Sequence, residues 1–349
     1  MNVVVVGGGF CGSFIAKRLQ DSPKIKTTLI DKHPFFEYKP NLHQILTRKK
    51  GLSNIQIPYT SFLHSTRILT EPVLHITETL VMTENQTIPY DYLVITSGID
   101  YPILLNNSND IYVLQEGETV NTLSKKLREV EKVLIVGGGI IGCEIAGELA
   151  FSSHQFKVTL VHSKDRLMER NSRKASDYAF SILKNAGCTI IRNEKIIKKE
   201  NHTYTTNKNR NIPADICIWC TGIKPNPSFM YDFPDDCFTE DRFLQVNTYL
   251  QLKNYHHIFV GGDLASIPEE KTARKAEFHA HIIETNIKRS IQKKPLLAYH
   301  SKPTPMIISL GSRHGIIQLN KAITGVLPAN AIKNVIQHWI FNQLKKRGI

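Results

Sequence analysis

Two glycine triplets of identical spacing hold the most explicit chemistry in this chain. Gly7-x-Gly9-x-x-Gly12 follows the apolar run Val3 to Val6, and Gly137-x-Gly139-x-x-Gly142 follows Val133 to Val136. In such a motif the first glycine permits a tight strand-to-helix turn. The second lets the backbone approach a pyrophosphate, and the third lets helix pack on strand while the helix N-terminus faces the phosphates. Two copies, each after a buried strand, point to two bound dinucleotides and to electron transfer between them.

The residues that should finish each cradle differ. After the first, a strand Lys26 to Ile30 ends in Asp31, where a ribose diol needs a carboxylate acceptor. After the second, the strand Lys157 to Val161 ends in His162, followed by Ser163, Lys164, Asp165 and Arg166. A carboxylate there would favour NADH, whereas a histidine with nearby Lys and Arg tolerates or attracts a 2′-phosphate. The sequence therefore predicts that NADPH is accepted, and that His162→Glu shifts the preference toward NADH. A third segment, Ile258-Phe259-Val260-Gly261-Gly262-Asp263, places Asp263 at a helix start, able to accept from a ribityl hydroxyl. Gly-Asp after a strand is by itself a turn; with Gly7 to Gly12 and Asp31 upstream it reads as the second half of a flavin site. The loop Phe35 to Leu42, with Lys39 and Pro40, either packs plainly or covers a flat ring system. Thr96-Ser97-Gly98 and Thr221-Gly222 are small-residue turns that allow close backbone approach.

The elements needed to hold these residues are legible around them. Each half carries strand, glycines, helix, strand and later a strand ending in a small turn. The expected fold is α/β, with two Rossmann-like dinucleotide-binding domains and a short C-terminal segment. The expected boundaries are residues 1–110 with 235–300 for a discontinuous FAD-binding domain, 111–234 for an NAD(P)H-binding domain and 301–349 for the C-terminal segment. In that last segment the chain after Pro328 reads as a helix with Ile332, Val335, Ile336, Trp339 and Ile340 on one face. Lys333, Asn334 and His338 lie off that face, and Lys345, Lys346 and Arg347 come at the end. The pattern suits an interfacial helix against anionic headgroups. It equally suits a helix docked on the flavin domain.

Bulk properties bound the classes. The 349 residues suffice for about two domains, and 44 basic against 31 acidic side chains give a net charge of +13. That charge fits a solvated surface, or attraction to anionic lipid or phosphate-bearing ligands. No basic block with interleaved aromatics suggests a specific nucleic-acid site. Six cysteines without framework spacing fit a reducing compartment. No signal segment or membrane-spanning run is evident, and Asn2 excludes N-myristoylation. The expected location is cytoplasmic, peripheral on the inner face of a membrane if the C-terminal helix binds lipid.

The order GxGxxG, Thr-Ser-Gly, GxGxxG, Thr-Gly and Gly-Gly-Asp resembles the two-dinucleotide-binding-domain flavoproteins of the pyridine nucleotide-disulfide oxidoreductase superfamily, with their glutathione-reductase-like fold. Gly262-Asp263-Leu264-Ala265, Phe278-His279-Ala280, Asn286-Ile287, Lys294-Pro295-Leu296, Tyr299, Gly311 and Gly315 to Gln318 are most similar to the ferroptosis-suppressor and apoptosis-inducing-factor-like branch, with type II NADH dehydrogenases close by. The resemblance implies FAD in the first site, NADH or NADPH in the second, and a quinone or other acceptor. It also implies Glu144 beside the nicotinamide, as a positioning rather than a proton-transfer residue, and offers His279 near the flavin or acceptor; read as a residue, His279 is better taken as a core or surface histidine.

The chain departs from the thiol-active members. Only Cys11 lies in the flavin half, inside the glycine motif, so thiol–disulfide reduction is not expected. Cys217-Ile218-Trp219-Cys220 lies on a strand, where residues three apart face opposite ways. His256-His257 and His279/His281 lack converging spacing, so no metal site is expected. Reduction of a small iron-sulfur protein, slow NADH oxidation and a redox-gated binding role stand as alternatives.

Overall fold

The computed structural model describes residues 1–47, 50–103, 105, 109–319, 322–325 and 329–346, so Pro328 and Arg347 lie outside the described residues. Two five-stranded parallel sheets form its frame. In the first, the order is Ile258–Val260, Tyr92–Ile95, Asn2–Val6, Lys26–Asp31, Arg67–Thr70. In the second it is Ile111–Tyr112, Ile216–Trp219, Lys132–Val136, Lys157–His162, Thr189–Arg192. Each glycine-bearing strand is central and, after its first residue, buried. Strands covered on both faces need continuous apolar side chains, which is why both read as unbroken Val/Ile/Leu runs rather than alternating ones.

The helices that follow, Phe10–Leu19 and Ile140–Ala150, start one residue past the second glycine of each triplet. Each unit also carries a three-stranded antiparallel sheet: Val73–Ile76, Leu80–Thr83 and Thr87–Pro89 in one, and Ile196–Glu200, Thr203–Thr206 and Asn211–Pro213 in the other. The duplication therefore extends beyond the glycine motifs. The long helix Ala273–Ile291, capped by the Thr272 side chain, packs along Phe10–Leu19.

The C-terminal segment is more than one helix. Met306–Leu310, His314–Leu319 and Ala322–Gly325 form an antiparallel sheet, followed by the helix Ala329–Lys345. This sheet lies directly against Ile140–Ala150. A Cβ at Gly147 would stand 2.7 Å from the Gly311 nitrogen and 2.8 Å from Leu310 backbone, so only glycine lets the two meet.

Candidate functional site where three segments meet

The two cradles are built alike. Gly7 and Gly137 take φ of +94° and +110°. At Gly12 and Gly142 a Cβ would lie 1.9 and 1.8 Å from the carbonyl oxygens of Gly7 and Gly137. At Gly9 and Gly139, by contrast, a Cβ would meet nothing within 4 Å. The tight glycines fold each turn onto itself, and the middle ones leave open room at a helix start, where a pyrophosphate fits. Thr96 Oγ1 ties the first turn to its neighbouring strand, donating to Val6 O at 2.9 Å and Gly7 O at 2.8 Å. Thr221 stands in the equivalent place, its Cγ2 2.5 Å from where a Gly137 Cβ would be. Gly98 and Gly222 then turn at φ of +78° and +76°. Tyr59, which no sequence signal marked, donates its hydroxyl to Gly8 O at 3.0 Å.

The cradles diverge at the strand end. Asp31 Oδ2 accepts from the Gly8 N–H at 2.5 Å, and its Oδ1 from the His33 N–H at 2.8 Å. In the second unit the Gly138 N–H donates to His162 Nδ1 at 3.1 Å. His162 is therefore a structural counterpart of Asp31. Arg166, expected to help with a phosphate, is turned into its own loop and donates to Asn171 O at 3.0 Å and to Glu169 O. Lys164 stays exposed.

Asp263 follows Gly262, whose φ is +69°. Burial raises the Asp263 carboxyl above its ordinary range, with Lys271 and Lys39 pulling it back. Behind this turn lies His279, buried, with Nδ1 accepting from the Gly262 N–H at 3.1 Å and Nε2 2.8 Å from Glu269 Oε1. Lys275 Nζ at 2.9 Å and the Tyr299 hydroxyl at 2.8 Å complete the hold on Glu269. Burial would raise the Glu269 carboxyl; hydrogen bonds from His279, Lys275, Ser301 and Tyr299 outweigh it and hold it well below the usual carboxylate range. His279 is thus buried and supports the Gly-Gly-Asp turn.

Glu144 does not face an open slot. It is buried, and its Oε1 accepts from Ser309 N at 2.9 Å, Ser309 Oγ at 3.2 Å and Lys333 Nζ. His43 completes the cluster, with Nδ1 3.9 Å from Glu144 Oε2 and Nε2 2.9 Å from Ser309 Oγ. Lys333 Nζ also reaches Pro40 O at 3.4 Å. The loop Lys39–Ile45, the helix after the second glycine motif and the C-terminal segment therefore converge on one ion pair. Burial would raise Glu144; Lys333, His43 and the Ser309 N–H overcome that and the net shift is downward. Burial lowers His43 to about 4, against a partial pull upward from Glu144.

Both readings of the C-terminal helix placed its apolar stripe at the contact, yet the helix docks through another face. Its buried face is Asn330, Lys333, Gln337, Ile340 and Leu344, while Val335, Ile336 and Trp339 are exposed by 69, 37 and 48 %. The polar residues go inward because partners await them. Asn41 donates to Gln337 Oε1 at 2.6 Å, Gln44 donates to Asn330 Oδ1 at 3.2 Å, and Asn330 donates to Gly311 O at 3.0 Å. Lys333 and His43 escaped the sequence reading because their partners are remote; Lys333 and Glu144 are 189 residues apart.

The six cysteines are free thiols. Burial pushes Cys11 and Cys143 far up, and Cys188 and Cys220 up to about 12, which opposes the thiolate form.

Comparison with known proteins is consistent with this geometry. The family profile described as "Pyridine nucleotide-disulphide oxidoreductase" matches residues 1–280. Ferroptosis suppressor protein 1 of Taeniopygia guttata is 27% identical, over 96% of this chain and 92% of its own length. Apoptosis-inducing factor homolog B of Dictyostelium discoideum is 27% identical, over 91% of this chain and 89% of its own. The sulfide:quinone oxidoreductase of Aquifex aeolicus superposes with a TM-score of 0.88 at 19% identity, covering 99% of this chain and 91% of that one. NDH2 of Plasmodium falciparum, in complex with NADH, superposes at 0.85 with 14% identity, covering 99% and 97%.

Proposed function

The chain belongs to the pyridine nucleotide-disulphide oxidoreductase family, and on that premise we propose that it passes electrons from NAD(P)H through FAD to a quinone. It is an oxidoreductase whose cofactors are FAD and NADH or NADPH. Bound FAD supplies a two-electron store between a hydride donor and an acceptor.

The protein's part is position and electrostatics. Gly7, Gly9 and Gly12, with Thr96 and Gly98, would hold the FAD pyrophosphate side; Asp31 would take the adenosine ribose, Gly262 and Asp263 the ribityl chain, and Lys39 and Pro40 would border the ring. Gly137, Gly139 and Gly142, with Thr221 and Gly222, would hold the nicotinamide dinucleotide, with His162 at its ribose end. These roles divide the chain into an FAD-binding unit of residues 1–110 and 235–300, an NAD(P)H-binding unit of 111–234 and a closing segment. Glu144 would set the nicotinamide end through Ser309 and Lys333 rather than by open contact. Quinone reduction takes two electrons and two protons. NAD(P)H brings a hydride, so one further proton comes from water.

The observation that carries this reading is the pair of like cradles, with Lys333 reaching both Glu144 of the second unit and Pro40 O of the first. Its support for a quinone is the similarity to the sulfide:quinone oxidoreductase fold without thiols disposed to react. The test is anaerobic. NADH or NADPH should bleach the flavin, and a short-chain quinone should restore its absorbance rapidly. Bleaching without reoxidation would reject the quinone.

The exposed Val335, Ile336 and Trp339, with Lys345 and Lys346 beyond them, support peripheral contact with an anionic membrane surface. No helix among the described residues is long and apolar enough to cross a membrane. Deleting the helix would also remove Lys333, so the point variant Trp339→Asp is the cleaner probe. It should abolish co-sedimentation with anionic liposomes while quinone turnover in solution persists.

A further inference from the structure

The second cradle lacks an acid at its strand end, yet the fold brings one there. Nδ1 of His162 is occupied by the Gly138 N–H at 3.1 Å. The Nε2 edge, buried with the rest of the ring, lies 3.2 Å from Glu169 Oε2. The segment 166–171 is folded to make this happen. Met168 adopts φ of +47°, a left-handed conformation uncommon for such a side chain. The Met168 N–H donates to Gly138 O at 2.7 Å, which pins the loop onto the glycine motif itself. Arg166 bonds the carbonyls of Glu169 and Asn171 from within. Gly138 is required for this closeness, because a Cβ there would lie 2.5 Å from Leu167 Cδ2 and 3.0 Å from the His162 ring.

We propose that Glu169, acting beside His162, is the residue that discriminates against a 2′-phosphate on the incoming pyridine nucleotide. The inference rests on the middle unit being the NAD(P)H site. In the first cradle one carboxylate serves both the turn and the ribose. In the second the two jobs are divided: His162 takes the glycine amide, and Glu169 supplies negative charge at the ribose edge. Glu169's side chain is 35 % exposed, so it keeps acceptor capacity for a 2′-hydroxyl. A phosphate dianion brought there meets a like charge. Two nearby cations are engaged elsewhere: Arg166 is folded inward, and the Arg192 guanidinium lies 4.7 Å over the Phe180 ring and donates to Asp165 O at 2.8 Å, while Lys164 stays exposed.

The experiment uses the FAD-loaded full chain and anaerobic stopped-flow reduction of its flavin by NADH and by NADPH. Glu169→Gln keeps the size and removes the charge. It should raise the NADPH-to-NADH ratio of kcat/KM by about tenfold, the size expected for one partly screened like-charge contact. Glu169→Asp, which keeps the charge, should stay near the wild-type ratio. An unmoved ratio in Glu169→Gln overturns the proposal. So does an equal shift in both variants, because that would trace the effect to loop packing. Wild-type flavin that neither nucleotide reduces would be a different failure: it would overturn the donor reading, and this proposal with it.

Discussion

The two dinucleotide units share sheet order, strand burial, glycine spacing and turn conformations, yet they differ in what completes them. The first is closed from within its own unit: Asp31 and Tyr59 bind Gly8, and Thr96 binds Gly7. The second turn is likewise tied within its unit, by His162 and Met168 at Gly138, but the helix behind it is also held from outside. Its helix leans on Ser309 and Lys333 of the C-terminal segment and approaches His43 of the first unit. The turns themselves are equivalent, and the difference lies in what anchors the helix that follows each.

The largest expected effect breaks the two units apart. Gly12→Ala and Gly142→Ala place a Cβ equally close to a carbonyl oxygen, at 1.9 and 1.8 Å. Gly12→Ala should purify without flavin. Gly142→Ala should remain yellow but lose flavin bleaching by either nucleotide. Flavin absorbance per protein and the bleaching rate read both, and two colourless proteins would show that the cradles are not separable.

Next comes the shared ion pair. Lys333→Met leaves the Glu144 carboxylate buried without its cation, at a cost of about 3–5 kcal/mol in unfolding free energy. Adding Glu144→Gln should recover much of it, because the isolated charge is then gone. Denaturant unfolding of the single and double variants would decide; equal losses in both would mean that packing, not charge, dominates.

The smallest effect concerns pH. His43 titrates at about 4 in the fold against 6.5 when free, so the unfolded chain binds its proton first. Stability contributed by the neutral ring is fully present above about pH 6.5 and is lost as pH falls toward 4, by ~3 kcal/mol at most. His43→Gln should flatten the stability profile across that window. A profile as steep as that of the wild type would assign the acid sensitivity to other groups.

Much of the fold was readable because its signals are local. Val3 to Val6 and Val133 to Val136 announce buried strands, and each glycine triplet fixes the turn that follows. The placement of Asp31, Thr96 and Asp263 was legible for the same reason: each ends or follows a strand whose place in the sheet is implied by the repeat. The contact of Glu169 with His162 was not legible, because Glu169 sits seven residues past the strand and reaches the ring through the left-handed turn at Met168. For the C-terminal helix the sequence left membrane contact and docking both open, because an apolar stripe serves either. Here Asn330, Lys333 and Gln337 displace it, each meeting a polar group already buried by other segments.

The sequence by itself therefore determined two dinucleotide cradles, their order and the family to which they belong, since backbone turns and buried strands depend on neighbours a few residues away. The tertiary structure alone decided which charges meet. The Glu144–Lys333–His43 cluster, the pairing of His162 with Glu169 and the outward face of the last helix all rest on contacts between distant segments. Burying a charge is tolerable only where a partner is already in place, and no local pattern states where that partner will be.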